Sequence, residues 1–143
     1  MITAPIVLML EDDAERLERF HAVATRLGVE LVVWRSAHVM LAELASYLSS
    51  AVLITLDHDL EPESASSADP GDGLLVAKHL ATLPPACPVV IHTSNGDRCE
   101  MMQGEFDLAG WTHHRVVPFG DDWIETDWFR LVKRLLRKRS TPQ

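Results

Sequence analysis

Val52-Leu53-Ile54-Thr55-Leu56-Asp57-His58-Asp59-Leu60 is an apolar run that stops on three consecutive ionisable side chains. Such a run reads as a strand buried on both faces, of the kind a parallel sheet provides. Ionisable groups are costly to hold in a core and add little to folding, so a triplet at a strand end points to chemistry. Two other runs end in the same way. Ile6 to Leu10 leads into Glu11-Asp12-Asp13, and Val89 to Ile91 leads into His92-Thr93-Ser94-Asn95.

Helical spacing fills the intervals between these runs. Leu17, Phe20, Val23, Ala24 and Leu27 recur over Ala14 to Leu27, with Asp12 or Asp13 as the cap and Gly28 as the stop. Glu30 to Trp34 reads as a strand, and Ser36 caps a helix bearing Met40, Leu41, Leu44, Tyr47 and Leu48. Glu61 to Gly73, rich in Ser, Ala, Asp, Pro and Gly, reads as an extended loop. Asp72 caps the next helix, which carries Leu74, Leu75, Ala77 and Leu80 and is stopped by Pro84 and Pro85. A short helix is expected near Arg98 to Leu108, a fifth strand at Arg115 to Val117, and a final helix over Ile124 to Lys138. Strand alternating with helix implies an α/β fold with a parallel sheet and helices on both faces. In such sheets the ligand crevice lies beyond the carboxyl ends of the strands, where all three polar clusters fall.

Composition sets outer bounds. The 143 residues, 47% hydrophobic and 24% charged, suit one globular domain spanning 1–143. No apolar stretch approaches the roughly 18–20 residues that span a bilayer. Met1-Ile2-Thr3-Ala4-Pro5 has no basic n-region, so a cytoplasmic location without membrane attachment is expected. A net charge of −8 disfavours tight binding to nucleic-acid backbones. The basic run Lys133, Arg134, Arg137, Lys138 and Arg139 borders an apolar helical stripe and reads as a solvated face. Cys87 and Cys99, the only cysteines, read as reduced thiols.

Together these residues resemble a response-regulator receiver domain over nearly the whole chain. Val7-Leu8-Met9-Leu10-Glu11-Asp12-Asp13 resembles the receiver's first strand and acidic pair, and Val52 to Asp57 its third strand ending in the phosphoacceptor aspartate. Asp72-Gly73 matches the start of the receiver's third helix, and Pro88 to Thr93 its fourth strand with Thr93 as the switch hydroxyl. Val116-Val117-Pro118-Phe119 resembles the end of the fifth strand, except that Val117 stands where receivers carry a lysine; His114 falls near the switch aromatic. The resemblance implies a three-layer flavodoxin-like fold with strand order 2-1-3-4-5. Leu56-Asp57-His58-Asp59-Leu60 and His92-Thr93-Ser94-Asn95 are more closely similar to the cyclic-phosphate-processing receiver domains, a divergent group with Leu-Asp-His-Asp-Leu and His-Ser-x-Asn motifs.

The residues suggest a chemistry for that resemblance. Carboxylates crowded at one rim raise one another's pKa values, and a divalent cation relieves the repulsion. Glu11, Asp12 and Asp57 offer the hard oxygen ligands that Mg²⁺ prefers, while an imidazole ligand would favour Mn²⁺. His58 and His92 are the candidate proton-transfer groups, and Thr93, Ser94 and Asn95 the candidate phosphate donors. Asp59 is expected to orient an imidazole or complete the metal shell, and Asp57 is an alternative nucleophile. The expected function is a metal-dependent phosphoesterase-like receiver that processes a cyclic phosphate or cyclic nucleotide. The alternative is a non-enzymatic receiver that senses metal or phosphate, with Asp57 in the phosphoacceptor place, and signals to a protein partner. A homodimer through the final helix is the third reading.

Overall fold

A computed structural model describes residues 3–140 and places the apolar runs side by side. Met1 and Ile2, part of the segment read for a targeting signal, lie outside the described residues. Strands β1 (Ile6–Leu10), β2 (Glu30–Trp34), β3 (Ala51–Leu56), β4 (Val89–Ile91) and β5 (His113–Arg115) form one sheet in the order β2-β1-β3-β4-β5. Every pairing is parallel, with Leu8 beside Val32 on one side and Ile54 on the other. All six residues of β3 are buried, as a central strand covered on both faces requires.

Alternation along the strands divides the core in two. Leu8, Leu10, Ile54, Leu56, Val89 and Ile91 face α2 (Ala37–Glu43), α4 (Gly73–Leu80) and α5 (Gly96–Ala109). Val7, Met9, Leu53 and Val90 face α1 (Ala14–Leu27) and α6 (Phe129–Ser140). A short α3 (Ala45–Leu48) follows α2. Each fully buried aliphatic side chain contributes roughly 1.5–3 kcal/mol, so the two half-cores hold the layers together. Asp13 caps α1 by accepting the Arg16 N–H at 2.9 Å, and Gly28 ends it at φ 72°, where only glycine is unstrained.

Four boundaries differ from the sequence expectation. The helix after Ser36 breaks at Leu44 into α2 and α3. The helix expected near Arg98–Leu108 begins at Gly96, because Asn95 caps it by accepting the Arg98 N–H at 3.1 Å. β5 lies two residues early: its backbone pairs with Val89–Ile91 through the polar His113–Arg115, leaving Val117 outside the strand and 47% exposed. Apolar character favours Val116–Val117, but backbone pairing, not burial, defines this edge strand. The final helix opens with a π-helical turn, Ile124–Trp128, in which the Trp128 N–H reaches the Trp123 carbonyl at 2.9 Å. Among the described residues no helix is long and apolar enough to cross a membrane.

Candidate metal and phosphoryl site

The carboxyl ends of β1, β3 and β4 meet at one rim. Glu11 follows β1 and is wholly buried. Its Oε2 accepts the Asp12 and Asp13 N–H groups at 3.0 and 3.1 Å, while Oε1 lies 3.2 Å from His92 Nε2. Asp57 follows β3, is 6% exposed, and accepts the His58 N–H on Oδ1 at 2.7 Å. Asp12 is half-buried and accepts the Glu61 N–H on Oδ2 at 2.6 Å, which pins the start of the long loop to the rim. One carboxylate oxygen from each of Glu11, Asp12 and Asp57 lies within 4.8 Å of the others. Three hard oxygens that close suit a small divalent cation, and each carboxylate keeps lone pairs free for one.

Electrostatics agree with that fit. Burial pushes the Asp57 carboxyl up to about 6; the Glu11 charge adds to the rise, against opposing pulls from His92, the His58 N–H and Arg16. Burial also raises Glu11, but the His92 hydrogen bond and charge, the Asp13 N–H and Arg16 outweigh it, so Glu11 stays below the usual range. Burial raises Asp12 as well, with the Glu11 charge adding to it. Glu11 thus remains ionised while Asp57 is held reluctantly as an anion. A bound cation would remove that reluctance.

A cleft of about 470 Å³ opens over the rim. Glu11, Asp12, Asp57, Asp59, Thr93 and Ser94 line it, as do Arg16, Arg35 and Glu61 to Glu63. Asn95 stands at its edge, with Nδ2 3.4 Å from Asp59 Oδ2 and its backbone N–H donating to Thr93 Oγ1 at 3.1 Å. His58 and His92 do not line it. His58 is buried, with Nδ1 2.9 Å from Asp59 Oδ1 and Nε2 3.7 Å from Asp72 Oδ2. His92 is wholly buried, with Nδ1 2.7 Å from Thr55 Oγ1 and Nε2 on Glu11. Gly73 lets α4 start against this segment: its N–H donates to the His58 carbonyl at 3.0 Å, and a Cβ there would collide with the Asp57 carbonyl oxygen.

Arg16 was not foreseen. Its guanidinium reaches from the first turn of α1 to 3.7 Å from Glu11 Oε1 and 3.8 Å from Asp57 Oδ2, and lies over the Trp123 ring at 5.2 Å. A signal existed, because a cation in the first turn of a helix opposes the macrodipole and calls for another reason to be there. Arg35, also unforeseen, donates from Nη2 to the Asp12 carbonyl at 2.7 Å. Of the other histidines, His21 is exposed, His38 is exposed beside a neighbouring pocket that Asp12, Arg35 and Glu61 also line, and His113 sits 2.6 Å from Asp107 Oδ1.

No protein-family model and no curated protein matches the chain. Solved structures do. A two-component response regulator from Clostridium difficile superimposes with a TM-score of 0.68 at 18% identity, covering 95% of this chain and 98% of that one. This is the receiver fold. A response-regulator receiver domain from Rhodospirillum rubrum matches at 0.63 and 21% identity, covering 95% of each chain. The CheX–CheY–BeF₃–Mg²⁺ complex of Borrelia burgdorferi matches at 0.66 and 11% identity, covering 96% of this chain and 90% of that one. Within the receiver fold the acidic triad here occupies the rim beyond the carboxyl ends of β1 and β3.

Proposed function

We propose that this rim is a divalent-cation site at which Asp57 accepts a phosphoryl group, making the chain an atypical receiver that senses phosphoryl donors and signals to a protein partner. The observation that carries the reading is the triad of Glu11, Asp12 and Asp57 oxygens within 4.8 Å. A cation bound there would neutralise charge on the carboxylates and on a phosphoryl oxygen. An Asp57 oxygen bonds to phosphorus as the bond from phosphorus to the donor oxygen breaks, and with acetyl phosphate the leaving group is acetate. Thr93 and Ser94 line the cleft as hydrogen-bond donors to the phosphoryl oxygens. Arg16 brings to Asp57 the positive charge that Val117, exposed and apolar, does not supply.

Calorimetry with Mg²⁺ and Mn²⁺, followed by acetyl phosphate labelling, tests this reading. Binding lost in Asp12→Asn, and a phosphoryl adduct lost in Asp57→Asn, are the expected results. No binding of either metal ends the proposal.

Opening of a cyclic phosphate is the second reading, and the His58–Asp59 pair favours it. Asp59 orients the imidazole, whose Nε2 is buried without a hydrogen-bond partner among the described residues. In that reaction a water oxygen bonds to phosphorus, one ring P–O bond breaks, and the water proton passes to the departing oxygen through Asp59, the member of the pair that lines the cleft, with His58 behind it as its hydrogen-bond partner. Against a nucleotide, no aromatic ring lines the cleft to stack on a base. Turnover of 2′,3′-cyclic mononucleotides with Mg²⁺ or Mn²⁺, lost in His58→Ala, would establish this chemistry; no turnover would leave the phosphoacceptor reading standing.

A further inference from the structure

We infer that His92 is a positioning residue, not a proton carrier, and that it couples the cation site to the start of α6 through Thr55 and Trp128. The inference rests on the proposed cation at Glu11. Four wholly buried side chains form one hydrogen-bonded line. Trp128 Nε1 donates to Thr55 Oγ1 at 3.1 Å, Thr55 Oγ1 lies 2.7 Å from His92 Nδ1, and His92 Nε2 lies 3.2 Å from Glu11 Oε1.

The chemistry of the two ends sets the direction of the line. An indole N–H only donates, and an ionised carboxylate only accepts. Nε2 of His92 therefore carries a proton toward Glu11. Thr55 Oγ1 accepts from Trp128 and shares a second hydrogen bond with Nδ1, in which either atom can be the donor. The indole N–H thus points from the π-helical turn to Thr55, and the Nε2 proton of His92 points to Glu11. Both ring nitrogens are engaged, so neither is available to a substrate in the cleft.

Packing holds the ring in that pose. Phe20 meets it at 5.2 Å, and Trp123 stacks on it at 6.1 Å. Phe20 also meets Trp128 edge-on at 4.8 Å. The π-helical turn is the local irregularity that brings Trp128 to Thr55, and such turns recur at functional positions. A cation drawing on Glu11 Oε1 competes with His92 for the same oxygen. Any change in that bond passes to Thr55 and then to the indole N–H along the same line.

Nuclear magnetic resonance on the ¹⁵N-labelled chain tests the line in two ways. Without metal, the ring-nitrogen shifts of His92 should show a proton on Nε2; an Nε2 without a proton would overturn the line argued here. During a Mg²⁺ titration, the Trp128 indole resonance should move with the midpoint found by calorimetry. Trp34 and Trp111, whose indoles donate to Glu43 and to the Leu83 carbonyl, should stay still. Thr55→Val should abolish the Trp128 response and weaken Mg²⁺ by about tenfold, the low end for outer-shell partners of a metal ligand. Thr55→Ser should restore both. Mg²⁺ binding with a stationary Trp128 indole, or an undiminished response in Thr55→Val, would refute the coupling. Absence of both Mg²⁺ and Mn²⁺ binding strikes the cation reading and the coupling with it, whereas the Nε2 proton, read without metal, still decides the hydrogen-bonded line.

Discussion

Arg16→Met should move the affinities of a cation and of an anion in opposite directions. The guanidinium stands 3.7 Å from Glu11 and 3.8 Å from Asp57, so it competes with any cation for the same two carboxylates. A doubly charged ion roughly 5 Å from that guanidinium is repelled by about 1.7 kcal/mol even at the dielectric constant of water. Screening at physiological salt, with a Debye length of about 8 Å, reduces this toward 1 kcal/mol. Removing the charge should therefore tighten Mg²⁺ by about five- to twentyfold. Fluoroberyllate, which stands in for a phosphoryl group on Asp57, should instead lose a charge-assisted contact of about 1.5–3 kcal/mol and bind ten- to a hundredfold more weakly. Methionine retains a long apolar stem over Trp123, which limits the packing change.

The assay is calorimetry with Mg²⁺, then fluoroberyllate titration at saturating Mg²⁺ followed by tryptophan fluorescence, both at pH 8 so that Asp57 is ionised. Arg16→Lys, which keeps the charge, should fall between the wild type and Arg16→Met on both axes. A purely structural Arg16 would weaken both ligands or neither. Opposed signs are therefore the signature, and a common sign would refute the assignment.

Mg²⁺ affinity should fall as pH drops through about 6, because protons and cation compete for Asp57, and Asp57→Asn should flatten that dependence in calorimetry. Without metal the sign for folding runs the opposite way for this group. A carboxyl whose folded pKa is raised opposes folding above its folded value, and protonation between about 6 and the ordinary carboxylate range removes that penalty, so Asp57→Asn should stabilise the metal-free chain at pH 8 against urea. Gly73→Ala should cost about 1–3 kcal/mol in urea denaturation, the usual range for overpacking, since its Cβ meets the Asp57 carbonyl oxygen; Asp72→Ala, which removes only the α4 cap, should cost about 1 kcal/mol.

Most of the scaffold was legible because parallel strands leave plain traces. Ile6–Leu10 and, Thr55 apart, Ala51–Leu56 are apolar on both faces, and each stops where the sheet stops. The acids at those stops could be assigned to one rim because the topology fixes where strand ends go. β5 was misplaced because an edge strand earns its place by backbone pairing, which leaves no hydrophobic signature in His113–Arg115. The π-helical turn was invisible for a similar reason: a one-residue widening hardly disturbs the spacing of Ile124, Trp128, Leu131 and Leu135.

The site was harder to read than the scaffold, since residue type does not reveal burial direction. His58 and His92 looked alike in the sequence, each beside an acidic or polar strand end. The fold gives them different surroundings: Asp59 at the mouth for one, and Thr55, Phe20 and Trp123 in the interior for the other. Arg16 shows the complementary gap. Its charge belongs to α1 by sequence and to the rim by geometry, through a long side chain that no period predicts. A receiver fold that has Val117 where the resemblance leads one to expect a cation still brings a positive group to Asp57, from the opposite end of the chain. What the chemistry needs at that rim is a charge within reach of the carboxylate, and the position from which it comes is open to change. Substituting lysine at 117 in the Arg16→Met background puts that argument to a direct trial: recovered fluoroberyllate affinity would show the two positions to be interchangeable, and no recovery would tie the role to α1.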